Sequence, residues 1–245
     1  MVRRMSAEAL LLITVVIYAL NFATAKFSIE NGFEPLSFSS TRIVIAAAAF
    51  SALTLIREDS LRVPRVDIKW LALIALVGVV ANQLVFAFAM ERANASSSAL
   101  LFGTFPIFVA LFASALGTER LRVRHWAATV VSFGGVALVA AGVGGEGFEG
   151  GIVGVLLGIG IAVTWAGYSV GVKPLLARYS PYRVSAWVML IGALPLGLVS
   201  LAQLLGQDWG AITELAWLAW LYTLVIGLIL ANVTYFTSID RVGAG

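Results

Sequence analysis

Charged residues cut this chain into long apolar blocks. Uncharged stretches cover residues 9–25, 43–56, 70–90, 93–118, 126–143, 152–172, 184–207 and 215–239. A helix needs roughly 20 mainly apolar residues to cross a bilayer. Seven of the eight blocks approach or exceed that length, and the second reaches it from Leu36 if Arg42 is taken inside the span. Lipid offers no partner for open backbone groups, and the blocks lack the apolar/polar alternation of a membrane barrel. The pattern therefore predicts an all-α integral membrane protein, a bundle of eight spans.

Composition agrees with this class. Apolar residues make up 60% of the chain and charged residues 12%, and the mean hydropathy is +0.97. A soluble domain carries about 25% charge. Cysteine is absent, so disulfide and thiol chemistry are excluded. The net charge of +3 does not point to nucleic acid, because the basic residues lie in the loops between spans. With the N-terminus inside, thirteen Lys and Arg fall in cytoplasmic loops, against two, Lys26 and Arg92, outside. That asymmetry predicts a multi-pass plasma-membrane protein with a cytoplasmic N-terminus. A competing reading of the first block is a secretory signal peptide, with Arg3-Arg4 ahead of the apolar run and Ala23-Thr24-Ala25 as its cleavage site.

The two halves of the chain echo each other. Tyr18-Ala19 followed by Lys26 returns 147 residues later as Trp165-Ala166 followed by Lys173. Pro35, opening the second span, returns as Pro181 before the seventh. In the third and eighth spans the offset is 149: Gly78 matches Gly227, Gln83 matches Asn232, Phe86 matches Tyr235, and Glu91-Arg92 matches Asp240-Arg241. One copy is expected over residues 6–143 with five spans, and a second over 151–245 with three. Five is odd, so the copies should cross the membrane in opposite directions. Such inverted repeats are common in secondary transporters, whose substrate sites lie at the repeat interface.

At these residues the chain resembles the EamA-type transporters of the drug/metabolite transporter superfamily. The resemblance rests on the polar break Tyr18-Ala19-Leu20-Asn21-Phe22 and on Pro35 followed by Arg42. It continues through Thr104-Phe105-Pro106-Ile107-Phe108 to Gly117-Thr118-Glu119-Arg120-Leu121, Trp126 and Gly134-Gly135-Val136, and includes Trp165-Ala166 with Lys173. It implies ten spans in two five-helix repeats, and export of amino acids, metabolites or drug-like compounds. Against that plan the second repeat lacks its last two helices, and the expectation is that the eight spans alone form an incomplete carrier, with an apolar face left uncovered on the second half.

Candidate chemistry inside the spans is sparse. All thirteen acidic residues fall in loops or at span ends, and the only histidine, His125, lies beside Trp126 at an interface. No paired aspartates, no Ser–His arrangement and no metal-ligand cluster can form in the bilayer. No cofactor or metal is called for, and the chain is not expected to be an enzyme. Arg42 is the one charge inside a span, about 9 Å below Leu36 at helical rise. It either snorkels to the headgroups or presents a fixed positive charge to anionic or zwitterionic substrates. Lys26 and Lys173, at span ends on opposite faces, are interfacial residues or paired gate positions. Tyr18 with Asn21, Gln83 with Phe86, Trp165 with Tyr168, and Asn232 with Tyr235 are each three residues apart and share helix faces. Asn21, Gln83, Tyr168, Asn232 and Tyr235 are expected on one central cavity, where they would bind substrate by hydrogen bonds and stacking, or else glue helices together. Pro106 marks a bending point or a static kink.

The sequence thus favours a carrier of small organic solutes working by alternating access, with a small-molecule substrate and the lipid bilayer as partners. Homo-oligomerisation is compatible with the pattern. The alternatives are a non-transporting scaffold or degenerate transporter fragment, and a membrane enzyme acting on lipid head groups. A mid-membrane cavity would favour the carrier; a closed bundle would favour the scaffold.

Overall fold

Prolines and short polar caps set where the helices begin. Pro35 and Pro181, matched in the sequence, both open helices, and in each case the preceding residue (Glu34, Ser180) is held extended, as the ring of a following proline demands. The Ser180 hydroxyl also accepts from the Arg183 N–H, and Asn94 and Thr213 cap two further helices in the same way. The computed structural model describes residues 7–117 and 151–242 with four positions between, so nearly all of the fifth apolar block lies outside the described residues.

The helices are α1 (Ala7–Glu30), α2 (Pro35–Glu58), α3 (Arg65–Arg92), α4 (Ala95–Ala115), α5 (Gly151–Leu176), α6 (Pro181–Val199), the short α7 (Leu201–Gly206) and α8 (Glu214–Thr237, its helix continuing to Val242). Six of them (α2, α3, α4, α5, α6 and α8) are long and apolar enough to cross a membrane. The 24-residue α1 contains the first apolar block. The molecule is a multi-pass helical membrane bundle. Its outer surface is apolar, with Leu12, Ile56, Ile152, Leu194 and Leu205 at 69–79% exposure. In lipid such side chains are in their preferred medium. Several buried hydroxyls close back on their own helices, as in Ser40 to Leu36 O (2.8 Å), Thr54 to Phe50 O (2.7 Å) and Ser169 to Trp165 O (2.7 Å), which satisfies them without water.

Helices α2 and α6 pack along their length and run antiparallel. At one end the Leu36 N–H donates to Gln203 Oε1 just past α6 (2.7 Å); at the other, Glu58 pairs with Arg183 (2.7 Å). α3 and α8 share a further feature. Each contains a π-helical segment, Leu76–Ala81 and Thr223–Leu230, enclosing Gly78 and Gly227 respectively. α4 breaks at Gly103-Thr104 into Ala95–Phe102 and Phe105–Ala115. Pro106 therefore stands in the first turn of the second piece, where its missing N–H leaves no helical bond unmade.

The loops clasp the bundle at both ends. At one end Asp67 accepts from both Arg178 guanidinium nitrogens (2.9 and 2.8 Å) and from the Tyr179 hydroxyl (2.5 Å). Accepting that hydrogen bond, the Asp67 carboxylate raises the Tyr179 phenol above its ordinary range. Glu58 also takes the Ser180 hydroxyl, Arg57 donates to the Tyr182 hydroxyl (2.8 Å), and Trp187 Nε1 donates to Leu61 O (2.7 Å). The opposite end uses neutral groups. Gln207 accepts from the Glu34 N–H and donates to Gly32 O, both at 2.8 Å, and the Thr213 N–H donates to Asn31 O (3.3 Å). Gly32, at φ +115°, approaches the backbone of Ala211 and Ile212 so closely that a Cβ would sit 2.9 Å from it. Lys26 is tied in here: its ammonium donates to Met90 O (2.9 Å) in the last turn of α3 and pairs with Glu30 (3.4 Å).

Candidate functional site

The site grows from Arg42. Two helical turns into α2, this residue is 3% exposed, so its side chain turns inward instead of reaching the headgroups. Its guanidinium lies over the Phe38 ring one turn earlier (4.2 Å to the centroid) and beside Phe86 of α3 (5.6 Å). Nη2 donates to Gln83 Oε1 at 3.0 Å. Guanidinium has donors only, so Gln83 must present its oxygen, and its Nε2 then faces Asn82 Oδ1 (3.4 Å). Asn82 Nδ2 in turn donates to Thr164 Oγ1 (2.9 Å) and Ile161 O (3.2 Å) of α5. One charge thereby orients a polar chain across three helices. Among the described residues no carboxylate pairs with Arg42, and its Nε has no acceptor.

Opposite this chain stand α1, α5 and α8. Tyr18 Oη, Asn21 Oδ1, Trp165 Nε1 and Asn232 Oδ1 are buried without partners among the described residues. Asn232 spends its Nδ2 on Leu228 O (2.9 Å). These groups and the Arg42 chain line a single cavity of about 60 Å³. Tyr18, Phe22, Phe102 and Trp165 separate it from a second chamber of about 490 Å³, lined also by Ala99, Phe105, Pro106 and Tyr235. The separating rings meet edge to face: Tyr18 lies 5.8 Å from Trp165 and 6.0 Å from Phe102.

Seven of the nine residues singled out in the sequence, Tyr18, Asn21, Arg42, Gln83, Phe86, Trp165 and Asn232, line the smaller cavity. Tyr235 lines the larger one, its hydroxyl 3.0 Å from Ser169 Oγ. Tyr168 lines neither. It is 2% exposed, lies 5.1 Å from Trp165 and 5.6 Å from Phe236, and lies against Gly78, where a Cβ would overlap its ring. The expectation that five of these side chains share one cavity is corrected accordingly, since the missing Cβ of Gly78 gives Tyr168 a packing socket. Asn21, at the matching position of the other half, sits the same way over Gly227. Asn82, Phe22 and Phe102 are lining residues that the sequence pattern did not single out. Asn82 was signalled only by being a second amide beside Gln83 inside an apolar block.

The polar pocket is thus lined from helices on both sides of the undescribed segment, α1 to α4 before it and α5 and α8 after it. The model of the EamA-like transporter family matches residues 5–141 and 152–245. The chain belongs to this family. It is 28% identical over 184 residues to a probable terminal-alkyne amino-acid exporter of Streptantibioticus cattleyicolor, covering 74% of this chain and 60% of that protein. It is 23% identical to an uncharacterized transporter of Archaeoglobus fulgidus, over 76% of this chain and 64% of the other. An S-adenosylmethionine/S-adenosylhomocysteine transporter of Chlamydia trachomatis is 28% identical over 105 residues, 43% of this chain and 32% of that protein. The chain thus spans less than two thirds of the length of these relatives. A solved crystal structure superposes with a TM-score of 0.70 at 22% identity, over 96% of this chain and 79% of its own, which shows the shared fold.

Proposed function

We propose that the protein carries small organic solutes across the plasma membrane by alternating access, in the direction of export, and is not an enzyme. The observation that carries this reading is the cavity where α1, α2, α3, α5 and α8 meet, in which a buried Arg42 without a carboxylate stands among four unpartnered polar atoms. Leaving such groups dry costs on the order of a few kcal/mol each, a cost that a bound solute or water relieves. The names of two relatives, an amino-acid exporter and a transporter of S-adenosyl compounds, are consistent with this class.

The halves 6–143 and 151–245 act in this reading as inverted repeats, with the N-terminus in the cytoplasm. Support comes from the antiparallel α2 and α6, the π segments around Gly78 and Gly227, and the reciprocal seating of Tyr168 and Asn21 on those glycines. The two end clasps are counterparts, one joining the α2–α3 corner to the α5–α6 corner and the other the α1–α2 corner to the α6–α8 connection, so opening one while keeping the other is the motion that exchanges access. The test is a comparison of extracellular metabolites between cells overproducing the full chain and cells lacking it. A solute enriched outside by the wild type but not by Arg42→Gln supports the carrier. An unchanged metabolite profile at verified membrane expression overturns it.

A further inference from the structure

The charged clasp leaves cations over. Of the acids in and beside the α2–α3 corner, Glu58 is held by Arg183 and Asp67 by Arg178. That leaves the exposed Asp59 alone against Arg57, Arg62, Arg65 and Lys69. Arg57 turns back over the Tyr182 ring and donates to its hydroxyl. Arg65 and Lys69 lie one turn apart in α3 and are both exposed. Their side chains have neither a carboxylate nor a hydrogen-bond partner among the described residues.

These two cations stand on the face of α3 that looks out of the bundle. Val66, Lys69, Trp70, Leu73 and Leu76 follow one another at helical spacing, and all five are exposed. On a helix that crosses the membrane, such a stripe faces lipid. At 1.5 Å per residue Trp70 lies about 7.5 Å beyond Arg65, and Leu76 about 16 Å beyond it. The order along the stripe is therefore cation, cation, ring, aliphatic. A phospholipid has the matching order of phosphate, glycerol esters and acyl chain. Trp70 is fixed in place, because its Nε1 donates to Gly171 O of α5 at 2.8 Å, and indole rings collect at the membrane interface.

The fold does not demand these cations. At the offset of 149 that relates α3 to α8, Arg65 corresponds to Glu214 and Lys69 to Leu218, while Val66 corresponds to Leu215 and Leu76 to Val225. Leu215, Leu218 and Val225 are exposed like their counterparts, yet the α8 stripe carries no positive charge. We propose that the α3 stripe is a binding site for an anionic phospholipid, its phosphate held by Arg65 and Lys69 and an acyl chain laid along Trp70, Leu73 and Leu76. A zwitterionic headgroup fits less well. The one acid between Arg65 and Leu76, Asp67, is buried and taken by Arg178 and Tyr179, so a headgroup ammonium finds no acceptor on this face.

The test is native mass spectrometry of the purified full chain in detergent, with equal amounts of dioleoyl phosphatidylglycerol and dioleoyl phosphatidylcholine. Each interfacial cation contributes about fivefold, so the wild type should retain the anionic lipid over the zwitterionic one by about 25-fold. Arg65→Gln with Lys69→Gln should retain the two lipids nearly equally, and Lys69→Arg should keep the preference. Arg57→Gln with Arg62→Gln removes the same charge from the neighbouring corner and should leave the preference largely unchanged. Both residues of the first pair are exposed, so without added lipid that variant should melt like the wild type. Phosphatidylglycerol should raise the melting temperature of the wild type and not of the variant. If the pair does not fold, Lys69→Gln alone should lower the preference about fivefold. Equal retention of both lipids by the wild type, or a preference untouched by loss of Arg65 and Lys69, overturns the site. Equal losses in the two double variants would assign the preference to the general field of that face and overturn it as well. Displacement of the lipid by millimolar inorganic phosphate or glycerol 3-phosphate would overturn the lipid in favour of a free phosphate ligand.

Discussion

Replacing Gln83 tests the polar chain at its centre. In Gln83→Leu, Arg42 Nη2 loses the acceptor 3.0 Å away and Asn82 Oδ1 loses its donor at 3.4 Å. A buried guanidinium is then left with no protein acceptor among the described residues. The expected cost is about 3 kcal/mol, between the value of one hydrogen bond to a charge and that of a broken buried ion pair. At roughly 2–4 °C per kcal/mol for a chain of this size, the melting temperature in detergent should fall by about 6–12 °C. The double variant Arg42→Met with Gln83→Leu should recover most of that loss, because removing both partners leaves no charge unsatisfied. Gln83→Glu should melt at or above the wild type, since a carboxylate would stand where Oε1 meets the guanidinium. Melting curves in detergent read all three variants. Unchanged melting of Gln83→Leu, or a double variant no more stable than Gln83→Leu alone, would refute the reasoning.

Three further outcomes are expected. Gly78→Ala forces a methyl into the Tyr168 side chain, whose Cβ lies 2.7 Å from the new position; it should destabilise by about 1–3 kcal/mol, and Tyr168→Ala in the same chain should restore part of that by melting. Asp67→Asn breaks an ion pair whose arginine is 52% exposed, so a loss of only about 1 kcal/mol is expected, shrinking in 1 M salt, whereas the loss in Gln207→Ala at the neutral clasp should be salt-independent. Because the sequence has no cysteine, a thiol introduced at position 147 should react with an impermeant reagent in intact cells and one at position 60 should not; the opposite labelling would reverse the proposed orientation.

How legible each feature was follows from what enforces it. The membrane class could be read because lipid penalises every open backbone group, so the apolar blocks had to be long and continuous. The bounds of α2 and α6 were signalled by Pro35 and Pro181, whose rings fix the helix start. The fate of Arg42 was not legible, because its long stem permits either snorkelling or an inward turn, and only the position of Gln83 on a distant helix decides between them. Three-residue spacing placed Tyr168 on a face with Trp165, but spacing does not say which neighbour that face meets; Gly78 does. The π segments were invisible to a 3.6-residue count, and the one in α3 ends directly before Asn82. At about 100° from Gln83 on a regular helix, Asn82 would be assigned to another face, although both line the cavity. Pro106 was read as mid-span, whereas the helix breaks two residues before it and starts anew.

The central claim is a solute site at Arg42 that opens across the membrane, and the extracellular metabolite profile of cells producing the protein tests it most directly. The prediction is at least one solute enriched outside by the wild type and not by an Arg42→Gln protein that reaches the membrane at the same level. The same profile for both proteins would contradict it.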